Sequence, residues 1–250
     1  MLNEQENISR VEACINEILA QSDKSIFLII DGDRTLISTD STKYFFKHLE
    51  LEFIEIKSIF QKYDYTFEAF YHVALFYSRI DEKRYKEACI ASAKAVNIYS
   101  DFLKFIKAVK DKTELILITS GIAQSWQNVI DNHSLDFMHL IGGNYFPKEK
   151  FVVDKNAKGI IANKLKLAGK KVFAFGDTLI DFDMLQNAHH SYLIVNEKMN
   201  KDIIPHSHEI AHLKQISFSS DSHQNLPLTD LIKVTSLIHK YYENSTNKNS

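Results

Sequence analysis

Asp31 and Asp33 stand one residue apart in Asp31-Gly32-Asp33-Arg34-Thr35, directly behind the apolar run SIFLII at 25–30. A carboxylate at the end of such a run can attack phosphorus or hold a divalent cation. A second carboxyl two residues on can move a proton on and off a leaving oxygen. Two further clusters follow. Thr119-Ser120-Gly121 closes the run LILIT and offers a hydroxyl and backbone N–H groups to an anion. Gly176-Asp177 closes KVFAF, with Asp181 and Asp183 shortly behind. Asp181 can turn back towards Asp177, and acids so placed suit an oxygen-ligated Mg2+. Upstream, Lys155 and Lys158 in DKNAKG offer an ammonium that could offset phosphoryl charge. Taken singly, each acidic cluster also reads as a helix cap or a solvated face, Thr119-Ser120-Gly121 reads first as an ordinary N-cap, and either lysine is a surface residue by default.

Chemistry of this kind needs strand ends to hold it. The runs at 25–30, 115–119, 171–175 and 192–195 are short and apolar, with a shorter candidate at 137–141. They read as strands buried on both faces. Helical spacing separates them at 102–109, 123–130, 160–167 and 180–185. Strands alternating with helices predict an α/β fold, a Rossmann-like parallel sheet covered by helices on both sides. Ligands in such folds bind outside the carboxyl ends of the strands.

The interval from 37 to 100 is too long for one crossover. It is dense in aromatics, and Phe67, Phe70, Tyr71 and Ala74 recur at helical spacing. About four helices are expected there, forming an inserted domain. The chain then divides into an N-terminal helix (1–24), a core (25–37 and 98–243), a helical cap (38–97) and a disordered tail (244–250). Residues 204–225, rich in His, Ser and Asp, read as an exposed loop, with His206, His208 and His212 solvated rather than zinc-bound. His189 and His190 read as surface. Residues 229–242 read as an amphipathic helix.

Composition sharpens the picture. The 250 residues include only seven glycines and three prolines, and residues 33–120 contain neither. Turn punctuation is therefore sparse, which argues against a β-meander. Hydrophobic residues make up 45% and charged residues 25%, ordinary for a globular protein. A net charge of -2 favours no nucleic-acid partner. Cys14 and Cys89 form no framework and suggest a reducing compartment. The polar start and the lack of any long apolar stretch predict a cytoplasmic protein with no membrane partner; the sequence does not choose between monomer and homodimer.

The order of the motifs is more specific than any one of them. Asp31-x-Asp33-x-Thr35, then Ser120-Gly121, then Lys158 in NAKG, then Gly176-Asp177-x-x-x-Asp181, resembles the haloacid dehalogenase (HAD) superfamily of phosphohydrolases. The resemblance covers about 26–200 and implies the HAD fold with a C1-type helical cap. Within it the chain looks most like the phosphoserine phosphatase-like group. It departs from that group at Gly32, where Phe is usual, at Ile122 in the second motif, and at Thr178 and Ile180 in the fourth. Asp40 stands where phosphoserine enzymes use Glu, and Ala74 falls where they use a cap arginine.

The resemblance implies a Mg2+-dependent phosphatase acting on a small-molecule phosphomonoester. Asp31 is the expected nucleophile, Asp33 the acid–base residue, and Lys158 a catalytic cation. Thr35, Ser120 and Gly121 are the expected phosphate binders. Asp31, Asp33 (through its backbone carbonyl), Asp177 and Asp181 form the expected metal set. Asp40, Tyr44, Tyr71, His72 and Arg79 in the cap could face the substrate. The rival readings are a degenerate HAD-fold scaffold that senses phosphate or binds protein, and a phosphorelay receiver; the long insertion and the Asp31-x-Asp33 spacing disfavour the receiver.

Overall fold

In the computed structural model, which describes residues 2–143, 151–195 and 200–246, the run behind Asp31 forms β1 (Ile26–Asp31) inside a seven-stranded sheet. β2 (Glu114–Ile122) lies on one side of β1, with β3 (His139–Gly143) outside it. On the other side lie β4 (Lys171–Gly176), β5 (His190–Val195), β6 (Lys214–Ser217) and the short β7 (Leu228–Thr229). Every pairing is parallel. All six residues of β1 are buried, as a continuous apolar run requires.

The pleat sends alternate residues of β1 to opposite layers. Phe27 and Ile29 pack among Val11, Ile15, Ile161 and Leu185, from α1 (Glu4–Gln21), α8 (Lys155–Leu167) and α9 (Phe182–Asn187). Ile26, Leu28 and Ile30 pack among Phe102, Trp126 and Ile238, from α6 (Ser100–Val109), α7 (Ala123–Asn132) and α10 (Leu231–Thr246). Each such side chain stabilises the fold by about 1.5–3 kcal/mol on full burial. The N-terminal helix therefore supplies one wall of the core. It is also pinned: buried Asn7 donates to Val152 O at 3.1 Å and accepts from Val152 N at 2.8 Å, just before α8.

Between β1 and α6 lie four helices, α2 (Ser41–Leu49), α3 (Ile54–Tyr63), α4 (Phe67–Tyr77) and α5 (Glu82–Ala95). Their aromatics pack on one another; Phe45 meets Tyr85 and Tyr77 edge-on at 5.2 and 5.5 Å. The two connections to the core run side by side. Ile37 and Ile98 form an antiparallel bridge, and Tyr99 N donates to Leu36 O at 3.0 Å.

Three expectations need correction. Residues 204–225 are not one exposed loop: they include β6, and Ile210, Leu213 and Ile216 are buried. The strand escapes notice because it has four residues and a polar one at its centre. Gln215 is buried there because its amide donates to His223 O and Leu226 O at 2.7 and 2.6 Å. His190 is not a surface residue: it packs on Phe173, its Nε2 lies 3.1 Å from Tyr241 Oη, and burial beside Lys171 lowers its imidazole to about 4. Residues 244–246 belong to α10 rather than to a tail, and 247–250 lie outside the described residues.

Candidate active site

The adjacency of β2, β1 and β4 brings the three sequence clusters to one edge of the sheet. Asp31 pairs in register with Ile118, one residue short of Thr119, and Ile30 with Phe175, one residue short of Gly176. Lys158 enters from the first turn of α8, whose N-cap Asp154 accepts from Ala157 N at 2.8 Å. Its ammonium, 1% exposed, donates to Asp31 Oδ1 at 2.6 Å and to Asp181 Oδ1 at 2.7 Å.

Asp181 does turn back. Its Oδ2 accepts from Asp177 N at 2.9 Å and Thr178 N at 3.1 Å. Glycine at 176 permits that closure, because a Cβ there would lie 2.5 Å from Asp181 Cβ. Asp31, Asp177 and Asp181 are all buried, with ligand oxygens within 4.8 Å of one another. Asp183 stays outside this cluster, 3.5 Å from Lys155 Nζ. Thr35 is fully buried beneath the motif; Ser120 and Gly121 line the cavity above it.

Three neighbours of the cluster lie beyond the expected set. Arg34, in the left-handed region at φ 62, sends Nε to Asp177 Oδ2 at 3.1 Å and lies 3.8 Å from Asp40 Oδ2. Its place inside the first motif was visible, but its fold-back onto a strand 143 residues away was not. Trp126, the sole tryptophan, donates Nε1–H to Asp33 Oδ2 at 3.4 Å. Glycine at 32 answers to that ring: a Cβ there would lie 2.4 Å from Trp126 Cε2. The departure from Phe at this position was the available signal. A third residue, buried Asn200, donates to Asp177 O at 2.7 Å and Ile194 O at 2.8 Å, fixing the strand end. Nothing in its local sequence marks it.

The electrostatics are strained in one direction. Four aspartates (31, 33, 177 and 181) meet two cations, Lys158 and Arg34. Burial, then the charge of Asp181, pushes the Asp31 carboxyl up to about 7 despite Lys158. Burial raises Asp177 well above the carboxylate range, against the pull of Arg34. Burial and Asp40 raise Asp33 to about 6, although Ser41 N donates to its Oδ1 at 2.6 Å. An Asp33 held near neutrality can both give and take a proton. The carboxyls outnumber the cations, and their clustered hard oxygen donors fit a divalent cation such as Mg2+.

Of the five cap candidates, only Asp40 lines the cavity among the described residues. Tyr44 packs on the core cluster instead. Tyr71 stacks on Phe67 at 5.8 Å, and His72 on Tyr63 at 4.8 Å. Arg79 is exposed and pairs with Glu55 at 3.2 Å. Helical spacing alone did not say which side of α4 turns inward.

Two outcomes follow. Gly32→Ala should cost about 1–3 kcal/mol by overpacking against the indole. The cost should shrink in the Gly32→Ala/Trp126→Phe double variant; additive losses in urea denaturation would contradict the contact. Raised carboxyl pKa values weaken the ion-free fold as pH rises from about 4 through about 7. Below about pH 7 Asp31 holds a proton that a cation must displace. Mg2+ should therefore raise Tm more at about pH 8 than at about pH 5.5, with Asp181→Asn shrinking the gain. A gain that does not change with pH would contradict this.

A haloacid dehalogenase-like hydrolase family model matches residues 28–186, more than half of the chain. No curated protein matches the sequence at significance. A phosphoserine phosphatase solved as its phospho-aspartyl intermediate analogue is similar in structure, with TM-score 0.55 and 17% identity over 86% of this chain and 99% of that one. A phosphoserine phosphatase from T. onnurineus gives 0.52 and 15% over 86% and 94%. A HAD family hydrolase from Salmonella enterica serovar Typhi gives 0.51 and 14% over 85% and 76%. At these identities the structures speak for the fold, and the family match carries the assignment: this chain belongs to the haloacid dehalogenase-like hydrolases.

Proposed function

We propose that the protein is a Mg2+-dependent phosphatase that hydrolyses a small-molecule phosphomonoester through an aspartyl-phosphate on Asp31. The observation that carries this reading is the position of Lys158, which holds Asp31 beside Asp181 while Asp33 stands on the same turn. In this reading the insertion 38–97 is a cap over a core of 25–37 and 98–243.

Asp31 attacks phosphorus with a carboxylate oxygen, and the bond from phosphorus to the leaving oxygen breaks. The departing alkoxide takes the proton of Asp33. Asp33, now ionised, removes a proton from water. The hydroxide attacks phosphorus, the bond to Asp31 breaks, and phosphate leaves. Lys158 keeps Asp31 oriented and offsets charge on the phosphoryl oxygens; Ser120 and Gly121 border the same space, with Thr35 buried outside it. Asp31, Asp177 and the Asp33 carbonyl would hold Mg2+, with Asp181 as a ligand or through water, and the ion would neutralise phosphoryl charge. Trp126 aims the Asp33 carboxyl, and the cap limits water during transfer.

Asp31→Asn should lower hydrolysis of p-nitrophenyl phosphate by more than about 10³-fold while the variant stays folded by circular dichroism. Asp33→Asn should slow alkyl phosphates, by about 10²–10⁴-fold, more than aryl ones. Full activity in Asp31→Asn contradicts the mechanism. A folded wild-type protein that releases no phosphate from any ester favours a scaffold role.

A further inference from the structure

We propose that the phosphomonoester taken by this site carries a bulky, uncharged apolar alcohol rather than a small zwitterionic one. This rests on the phosphatase reading above and concerns the space beyond the phosphate.

The cavity over the aspartates has a volume of about 1050 Å3, at the top of the usual range for small-molecule sites. Its two ends differ in chemistry. The core end holds Asp31, Asp33, Arg34, Lys158 and Asp177. The cap contributes an apolar wall of Phe53, Ile56, Phe60, Phe70, Val73 and Tyr77, with Asp40, Gln61 and Asp64 among the polar residues beside it. Apolar surface makes up the larger part of the lining. The wall is braced from behind: Phe60 meets Phe70 edge-on at 5.2 Å, and Phe70 packs with Ala74 and Val152.

What the cap wall lacks is equally telling. Recognition of an amino-acid carboxylate needs a cation held inside the cap. Among the described residues lining the cavity, the cap's only cation is Lys57, which is exposed at the mouth. Ala74 is fully buried and does not line the cavity. Arg34 and Lys201 reach the space from the core side, but the Arg34 guanidinium is engaged by Asp177 and Asp40, and Lys201 is exposed. A carboxylate pushed against the phenylalanines would lose hydration with no buried cation of the cap to meet it. An alkyl or aryl body would gain by burial there.

The test uses the full chain with Mg2+. Calorimetry would give the Kd of methyl-, butyl- and octylphosphonate, and phosphate release would give kcat/KM for butyl phosphate, octyl phosphate and O-phosphoserine. A fully buried methylene tightens binding roughly fourfold, so octylphosphonate should bind at least roughly tenfold tighter than butylphosphonate. Turnover should follow the same order, with O-phosphoserine last. Phe60→Gln, at a half-buried position, should reduce the octyl-to-methyl affinity ratio. Equal affinities along the series, or preference for O-phosphoserine, would overturn the proposal while leaving the phosphatase reading intact. Affinity that rises with chain length in a protein that hydrolyses none of the esters would support the apolar cavity and count against the phosphatase reading.

Discussion

One buried ammonium organises the site. Lys158 Nζ lies between Asp31 and Asp181, at 2.6 and 2.7 Å, with almost no exposure. Removing one partner of such a set leaves uncompensated charge and typically costs about 3–5 kcal/mol. Much of the surrounding fold therefore serves to place it. Asn7 ties the N-terminal helix to Val152, Asp154 caps α8, and α8 then presents Lys158 to the ends of β1 and β4. Glycine at 176 lets Asp181 approach from the other side. Arg34 balances Asp177, so each carboxylate of the acidic cluster has a cation nearby but the set remains short of positive charge.

The cap and the chemistry share one short stretch of chain. α2 begins at Ser41, whose N–H donates to Asp33 Oδ1, and its N-cap Asp40 faces Arg34. The N-terminus of a helix favours negative charge nearby, so α2 steadies Asp33 when that residue is ionised. Burial and Asp40 oppose this and keep the carboxyl near the pH at which it can exchange a proton. The paired connections at Ile37 and Ile98 hold that helix start against the core. Movement of α2 would thus be felt at Asp33 as well as at the cavity wall.

The sheet and the core motifs were legible because each depends on a local pattern. β1, β2, β4 and β5 are apolar runs, and the aspartates and glycines sit where those runs stop. The four helices after β1 follow from dense aromatics at helical spacing. What stayed hidden depends on contacts distant in sequence. Arg34 looks like a motif spacer until β4 places Asp177 against it. Trp126 looks like a helix core residue until the ring meets Gly32 and Asp33. Tyr44, Tyr71, His72 and Arg79 were plausible substrate contacts, yet the packing of α2 to α5 turns them to other neighbours and leaves Phe60, Phe70 and Tyr77 on the cavity. β6 was missed because one buried amide, satisfied by carbonyls eight and eleven residues on, stands in for an apolar run.

The nucleophile can be identified directly. The wild-type protein, mixed with a fast aryl phosphate and Mg2+ and quenched in acid during turnover, should carry phosphate on the peptide containing Asp31. Hydroxylamine should remove it, as expected of an acyl phosphate. A phosphate adduct on any other residue, or turnover with no covalent phosphate under burst conditions, would contradict the role that the buried Lys158–Asp31 pair is built to support.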